Sequence, residues 1–332
     1  MLQSVWTDDG IQLQDVEPGP LTSGWARLKV EACGICGSDL HRYRSPRPGA
    51  AASTPGHELA GWVLQANAAT PDELYVVEPW LTCGACDYCL SGNSQNCRRG
   101  TLVGVHVAGG LAEFIDVPRN SLHRSAAAFS PLEASLTEPF AVCTRAVHLA
   151  GLKLDSRVLV LGGGSLGLIC GLLARDTAVR VAVSARYEHQ KEAARKLGLE
   201  PVAEEDVLVL AKDFEPDVVI ETVGGSANTI EQAMQASRPG GRIVVLGLFS
   251  TMPPFDARAL VQKELLITGS RVFGQSEHGP EFEAAARLLP RYRQELSVLQ
   301  THQFPLARIE DAFATSADKN SRSIKVTVLP GE

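Results

Sequence analysis

The sequence has no surplus of positive charge: 31 Lys and Arg stand against 38 Asp and Glu, a net charge of −7 over 332 residues, with a pI near 5.7. A surface that holds polyphosphate needs a basic patch, so nucleic acid is excluded as the main partner. Nor is there an unbroken apolar run of membrane-spanning length. The longest, Val158 to Ala174, is interrupted by Gly162, Gly163, Gly164, Gly167 and Gly171 and bracketed by Arg157 and Arg175; it reads as strand, turn and helix, and no membrane partner is expected. The first ten residues lack a cationic and then apolar stretch and carry Asp8 and Asp9 instead, so no export signal is read and a cytoplasmic protein is expected. The 30 glycines cluster without a repeat, which excludes collagen-like or linker sequence. With 45% hydrophobic and 21% charged residues the chain has material for two ordinary cores, and disorder is excluded.

What is present begins with eight cysteines. In a cytoplasmic chain such spacing is read as metal or redox chemistry before disulfides. Cys83, Cys86 and Cys89 follow one another at intervals of three, and Cys97 comes eight later, in CGACDYCLSGNSQNC. Four thiolates close a tetrahedral zinc shell and leave no position for substrate, which is the arrangement of a structural site. Its gain is the ordering of a loop with little core of its own.

A second cluster lies upstream, in CGICGSDLH and PGHELAG, where Cys36, Ser38, His41, His57 and Glu58 fall in one short region. One Cys, one His and one carboxylate leave a fourth position open for water or a substrate oxygen, as a catalytic zinc requires. A lone histidine is more often structural; the conjunction of His57 with Cys36 and the glycine-flanked turns points to a site. Cys33 reads as a packing residue, because no thioredoxin-like βαβ context surrounds it.

The run Arg157–Leu161 ends in Gly162-Gly163-Gly164-Ser165-Leu166-Gly167 and continues as an apolar helix. Gly162 permits the tight turn, Gly164 lets backbone approach a pyrophosphate and Gly167 lets the helix pack on the strand, with phosphate at the helix N-terminus. Strands are expected at Val179–Ser184, Asp217–Thr222, Arg242–Gly247 and Leu265–Ser270, with helices at His189–Leu197 and Ala227–Ser237 between them. Such alternation predicts a parallel, doubly wound sheet. About twenty residues after the glycines, an NAD-binding sheet places an acid for the ribose 2′-hydroxyl. Here the segment reads Val183-Ser184-Ala185-Arg186-Tyr187, with alanine at the acidic position and a cation after it. A 2′-phosphate would be held by a guanidinium and repelled by a carboxylate. NADP(H) is therefore favoured over NAD(H), with Ser184, Arg186 and Tyr187 as contacts.

The motifs GICGSDLH, GHELAG, the cysteine ladder, GGLAEF at Gly109–Phe114, GGGSLG and FPLARIEDAF occur in this order. By them the sequence resembles the zinc-dependent medium-chain alcohol dehydrogenase superfamily over nearly its whole length. Thr137-Glu138-Pro139-Phe140 is similar to the EP motif of the sorbitol and threonine dehydrogenase branch. The resemblance implies an α/β fold in two domains with the active site in the cleft. A GroES-like β-rich catalytic domain takes residues 1–147 with a C-terminal return at 289–332, and a Rossmann domain takes residues 148–288.

The resemblance also implies Cys36 and His57 as catalytic zinc ligands, Glu58 or Glu138 as the third, Ser38 as the hydroxyl that relays the alcohol proton and His41 as a more distant station. Two zinc ions per chain are expected. The implied activity is hydride transfer between NADP(H) and a secondary alcohol or polyol, or the matching ketone or aldehyde. An NAD-linked polyol or amino-alcohol dehydrogenase is the alternative. A zinc-independent enoyl or quinone reductase, or a binding protein that kept the fold, would not need the catalytic ligand set. A homo-oligomer, dimer or tetramer, is implied. The chain departs from the family in being short, in the missing second-strand acid and in the Pro- and Ala-rich stretch Ser45 to Thr54.

Overall fold

The structure is a computed structural model and describes residues 1–45, 53–64, 73–126 and 128–331. Most of the stretch Ser45 to Thr54 lies outside the described residues. The chain divides into two compact units, Met1–Glu138 with Glu277–Glu332, and Pro139–Ser276.

The first unit is built on a seven-stranded sheet. Trp25–Gly34 pairs antiparallel with Glu58–Val63, Phe114–Pro118 and Lys325–Leu329. The sheet continues through Leu74–Val77 to Leu122–Arg124 on one side, and to Gln300–Pro305 on the other. Residues alternate along Trp25–Gly34, so that Ala26, Leu28, Val30 and Ala32 are wholly buried, as a period of two on a half-covered sheet demands. Leu59, Leu111, Phe313, Val326 and Val328 fill the same core. The closing strand therefore comes from the end of the chain and stands beside residues near its start.

The second unit is a six-stranded parallel sheet. In chain order its elements are β1 (Arg157–Leu161), α1 (Ser165–Arg175), β2 (Arg180–Ala185), α2 (Glu188–Lys196), β3 (Glu200–Ala203), α3 (Val207–Phe214), β4 (Val218–Glu221), α4 (Thr229–Ala236), β5 (Arg242–Val245), α5 (Ala257–Gln262) and β6 (Leu266–Gly269). The strand order is β3-β2-β1-β4-β5-β6, the arrangement of a dinucleotide-binding Rossmann sheet, whose ligands bind at the carboxyl ends of the strands where the order reverses. Val158 to Leu161 on β1 are buried on both faces, as a helix-covered parallel strand requires.

The strand expected at Val179–Ser184 runs from Arg180 to Ala185, because Val179 is left 61% exposed at the sheet's end. β3 is an element the pattern did not announce: it has four residues, one of them Pro201, and proline is tolerated there because the strand lies at an edge. Among the described residues no helix is long and apolar enough to cross a membrane.

Candidate active site and metal centres

Cys36 caps the N-terminus of the helix Gly37–Arg44, with its backbone N–H donating to Asp39 Oδ2 at 3.0 Å. At that position the helix presents backbone N–H groups that have no partner within the helix. His57 follows Gly56, whose φ of +101° and crowding by Cys33 and Leu111 admit only glycine. Glu58 opens the next strand. Donor atoms of Cys36, His57 and Glu58 all lie within 4.8 Å of one another.

The donor set fits a soft-to-borderline divalent metal such as zinc. His57 is buried and its Nδ1 has no hydrogen-bond partner among the described residues, and Ser38 Oγ is likewise buried without one there. Burial would push the His57 imidazolium down, but the Cys36 thiolate, with Asp39 and Glu138, holds it well above the ordinary range. Glu138, at the start of the helix Thr137–Ala150, is pushed up to about 7, first by burial, against the pull of His57 and with repulsion from Glu58. These groups crowd negative charge around one buried point, and a bound divalent cation reverses that logic.

The structure adds a residue that sequence reading missed. Lys325 Nζ donates to Glu58 Oε1 at 2.7 Å and Oε2 at 2.6 Å and to the Ile35 carbonyl at 3.2 Å. Both side chains are buried, and Gly34 leaves the room: a Cβ there would collide with the Glu58 carboxylate. His41 stands on the exposed face of its helix.

The cysteine ladder forms the second centre. Sγ separations are 3.5 Å for Cys83–Cys97, 3.6 Å for Cys86–Cys89, 3.9 Å for Cys83–Cys89 and 3.9 Å for Cys86–Cys97. A disulfide needs about 2.05 Å, whereas a tetrahedron with zinc–sulfur bonds of about 2.3 Å has edges of about 3.8 Å. Gly84 and Gly92, at φ +66° and +76°, turn the loop that brings the thiols together. The Cys83 thiol is lowered to about 5, chiefly by the Ala85 backbone N–H, while Cys89 is pushed up to about 12 by burial and by its neighbouring thiols. Four thiols packed this closely would repel one another as thiolates, and a divalent ion would supply the balancing charge.

In the second unit Gly162 has φ +112°, and a Cβ on Gly167 would collide with the Gly162 carbonyl, so α1 is pressed onto β1. Gly164 caps α1, is exposed, and would carry a Cβ into open space. With Ser165 and Leu166 it forms the first turn of an eleven-residue helix, a fit for a pyrophosphate. At the end of β2, Ser184 is buried within the strand and Ala185 is its last residue. Arg186 is exposed, and Tyr187 caps α2 and stacks on His189 at 5.7 Å between ring centroids. Arg186 is not alone there: it pairs with Glu204, the residue after β3.

Other residues near the motifs make contacts within the fold. Glu221, wholly buried, accepts from the Val223 and Gly224 N–H groups at 2.8 and 2.9 Å and from Thr229 Oγ1 at 2.7 Å. Trp80 donates to the Ser94 carbonyl at 2.9 Å, and Tyr43 lies 5.3 Å from Phe313 in the core.

A parallel sheet of this order in one unit and, in the other, a Cys-His-carboxylate cluster and a separate four-thiol shell are the features of a zinc-dependent dehydrogenase. Residues 22–127 match the alcohol dehydrogenase GroES-like domain, and residues 165–290 match the zinc-binding dehydrogenase family. The 2-dehydro-3-deoxy-L-galactonate 5-dehydrogenase of Pseudoalteromonas atlantica is 30% identical over 318 residues, 92% of each chain. The L-threonine 3-dehydrogenase of Pyrococcus horikoshii is 30% identical over 328 residues, 92% of this chain and 91% of its own. A solved Sinorhizobium meliloti 1021 protein, assigned as a zinc-binding dehydrogenase and bound to NADP, superposes with a TM-score of 0.88 at 28% identity, covering 99% of this chain and 100% of its own. The chain belongs to the zinc-dependent alcohol and polyol dehydrogenases of the medium-chain dehydrogenase/reductase superfamily. It is an oxidoreductase of that family.

Proposed function

We propose that this protein transfers a hydride between NADP(H) and a secondary alcohol or polyol, or the corresponding ketone or aldehyde, and holds one catalytic and one structural zinc ion per chain. The observation that carries the reading is the Cys36-His57-Glu58 donor cluster. The reading assigns residues 1–147 and 289–332 to catalysis and 148–288 to the dinucleotide.

Cys36 and His57 hold the catalytic ion, and Cys83, Cys86, Cys89 and Cys97 the structural one. Bound at the first site, zinc supplies the Lewis acidity that lowers the pKa of a hydroxyl and polarises a carbonyl. Glu58 or Glu138 completes the ligand set. The Lys325 ammonium, paired with Glu58, and a divalent ion would offset the negative charge that these side chains bring together. Ser38 Oγ, two residues after Cys36 and buried without a partner among the described residues, takes the alcohol proton or returns it to a reduced carbonyl, and His41, on the exposed side of the same helix, passes it to water. Gly162, Gly164, Ser165, Leu166 and Gly167 seat the pyrophosphate. Arg186 takes the 2′-phosphate, with Tyr187 and Ser184 beside it.

The eight free cysteines support a reducing, cytoplasmic setting. Leu266 on the edge strand β6 and Val261 on α5, 50% and 74% exposed, support a homo-oligomer, which light scattering on the eluting protein tests. The functional reading is tested by fluorescence titration with NADPH and NADH. Tighter NADPH binding, lost in Arg186→Ala, is expected. Preference for NADH in the unmodified protein replaces the reading with an NAD-linked polyol or amino-alcohol dehydrogenase.

A further inference from the structure

β2 and β3 run side by side in the dinucleotide sheet, with Ala185 opposite Ala203 at their carboxyl ends. The next residue of each, Arg186 and Glu204, therefore leaves the sheet at the same place. Arg186 Nε donates to Glu204 Oε2 at 2.6 Å and Nη2 to Oε1 at 2.8 Å, a fork-to-fork pair with both oxygens engaged. The side chains are 63% and 40% exposed, so the pair adds little to the stability of the fold. Its geometry bears on ligands instead. The Nε and Nη2 edge that grips a carboxylate is the edge that grips two phosphate oxygens.

We propose that Glu204 is a specificity-determining residue whose carboxylate competes with the cofactor's 2′-phosphate for the Nε and Nη2 edge of Arg186, narrowing the preference for NADP(H) over NAD(H). The inference rests on the reading of Arg186 as the phosphate contact and extends it to a strand outside the glycine fingerprint. A phosphate monoester brings about −1.5 to −2 charges to a place where Glu204 already stands and where Glu205 and Asp206 follow it. To bind NADPH, the chain must open the Arg186–Glu204 pair and seat two anions around one cation. To bind NADH, it can leave the pair closed. Gln232 Nε2, which donates to the Glu204 carbonyl at 3.4 Å, ties the Glu204 backbone to α4, so the carboxylate stays at hand.

Glu204→Gln keeps the side chain's size and removes its charge. The zinc-loaded protein is titrated by fluorescence with NADPH and NADH, and by calorimetry with 2′,5′-ADP and 5′-AMP. Glu204→Gln is expected to tighten NADPH and 2′,5′-ADP about fivefold, the scale of no longer having to open one exposed ion pair, and to leave NADH and 5′-AMP within about twofold. In an Arg186→Ala background the same change is expected to have no effect on the ratio of NADPH to NADH affinity. If Glu204→Gln leaves NADPH unchanged or weakens it while Arg186→Ala weakens NADPH alone, the phosphate contact stands and the competition is refuted. If Arg186→Ala changes none of the four affinities, the reading of Arg186 fails and the inference falls with it. A thermal midpoint of each variant near that of the parent shows that the comparison is between folded proteins.

Discussion

Lys325 and Glu58, 267 positions apart, meet through both carboxylate oxygens at 2.7 and 2.6 Å with side chains only 3% and 1% exposed. Lys325 opens the last strand of the first unit and Glu58 opens the strand that follows His57. The burial of the ammonium, which would push it down, is outweighed by Glu58, and its pKa is raised. Breaking one side of such a pair leaves a bare buried charge. Lys325→Met is expected to destabilise the protein by about 3–5 kcal/mol, read by urea denaturation. Glu58→Gln in the same chain should recover part of that loss; no recovery would mean that the lysine acts through packing.

The catalytic assignment predicts a selective defect. Cys36→Ser should remove one of two zinc ions, lower turnover more than a hundredfold, the scale on which even orienting partners of a ligand act, and leave the NADPH titration unchanged. Metal analysis, steady-state rates and fluorescence on one preparation decide it. Retained activity with one zinc would assign catalysis elsewhere.

The four-thiol shell should behave differently. Cys97→Ser is expected to lose the other zinc ion and to lower the thermal midpoint by roughly 4–8 °C, the shift for about 2 kcal/mol in a domain of 150–250 residues. An unchanged midpoint would show that the loop holds its shape without the metal.

Asp217 gives a pH signature at the far end of the dinucleotide sheet. It accepts from the Arg157 backbone N–H at 2.8 Å, Arg157 Nε at 3.2 Å and Arg238 Nε at 2.6 Å. Burial pushes its carboxyl up, but these donors outweigh burial and hold it below the usual carboxylate range. The folded value lies below the unfolded one, so the stabilisation is complete above about pH 4 and is lost as pH falls through the folded value. Asp217→Asn should cost about 1–3 kcal/mol near neutrality. Denaturation curves from pH 7 to pH 3 should show that cost shrinking toward the acid end; a constant difference would refute the charge-based account.

The candidate metal donors are legible in the sequence because their spacing is local. Cys83 to Cys97 lie within one loop, and Cys36 and His57 sit beside glycine turns that the residue pattern itself marks. The glycine fingerprint was legible for the same reason, since Gly162, Gly164 and Gly167 belong to one strand, turn and helix. Lys325 and Glu204 were not. A lysine opening the run KVTVL reads as a solvated strand end, and only antiparallel pairing with Trp25–Gly34 sets it against Glu58. Glu204 follows a four-residue strand containing proline, and the segment has too little periodicity to announce itself. Glu221 ends β4, and the three hydrogen bonds that its Oε1 accepts brace the turn that follows.

The sequence by itself determined which atoms can bind metal and where backbone can approach phosphate, because donor type, short spacing and glycine's freedom are properties of neighbouring residues. Only the tertiary structure decided which charges face those groups. The lysine opposite Glu58 and the carboxylate beside Arg186 are brought there by sheet order, a long-range pairing that no local pattern encodes, and buried or closely held charges take their properties from whatever the fold sets next to them.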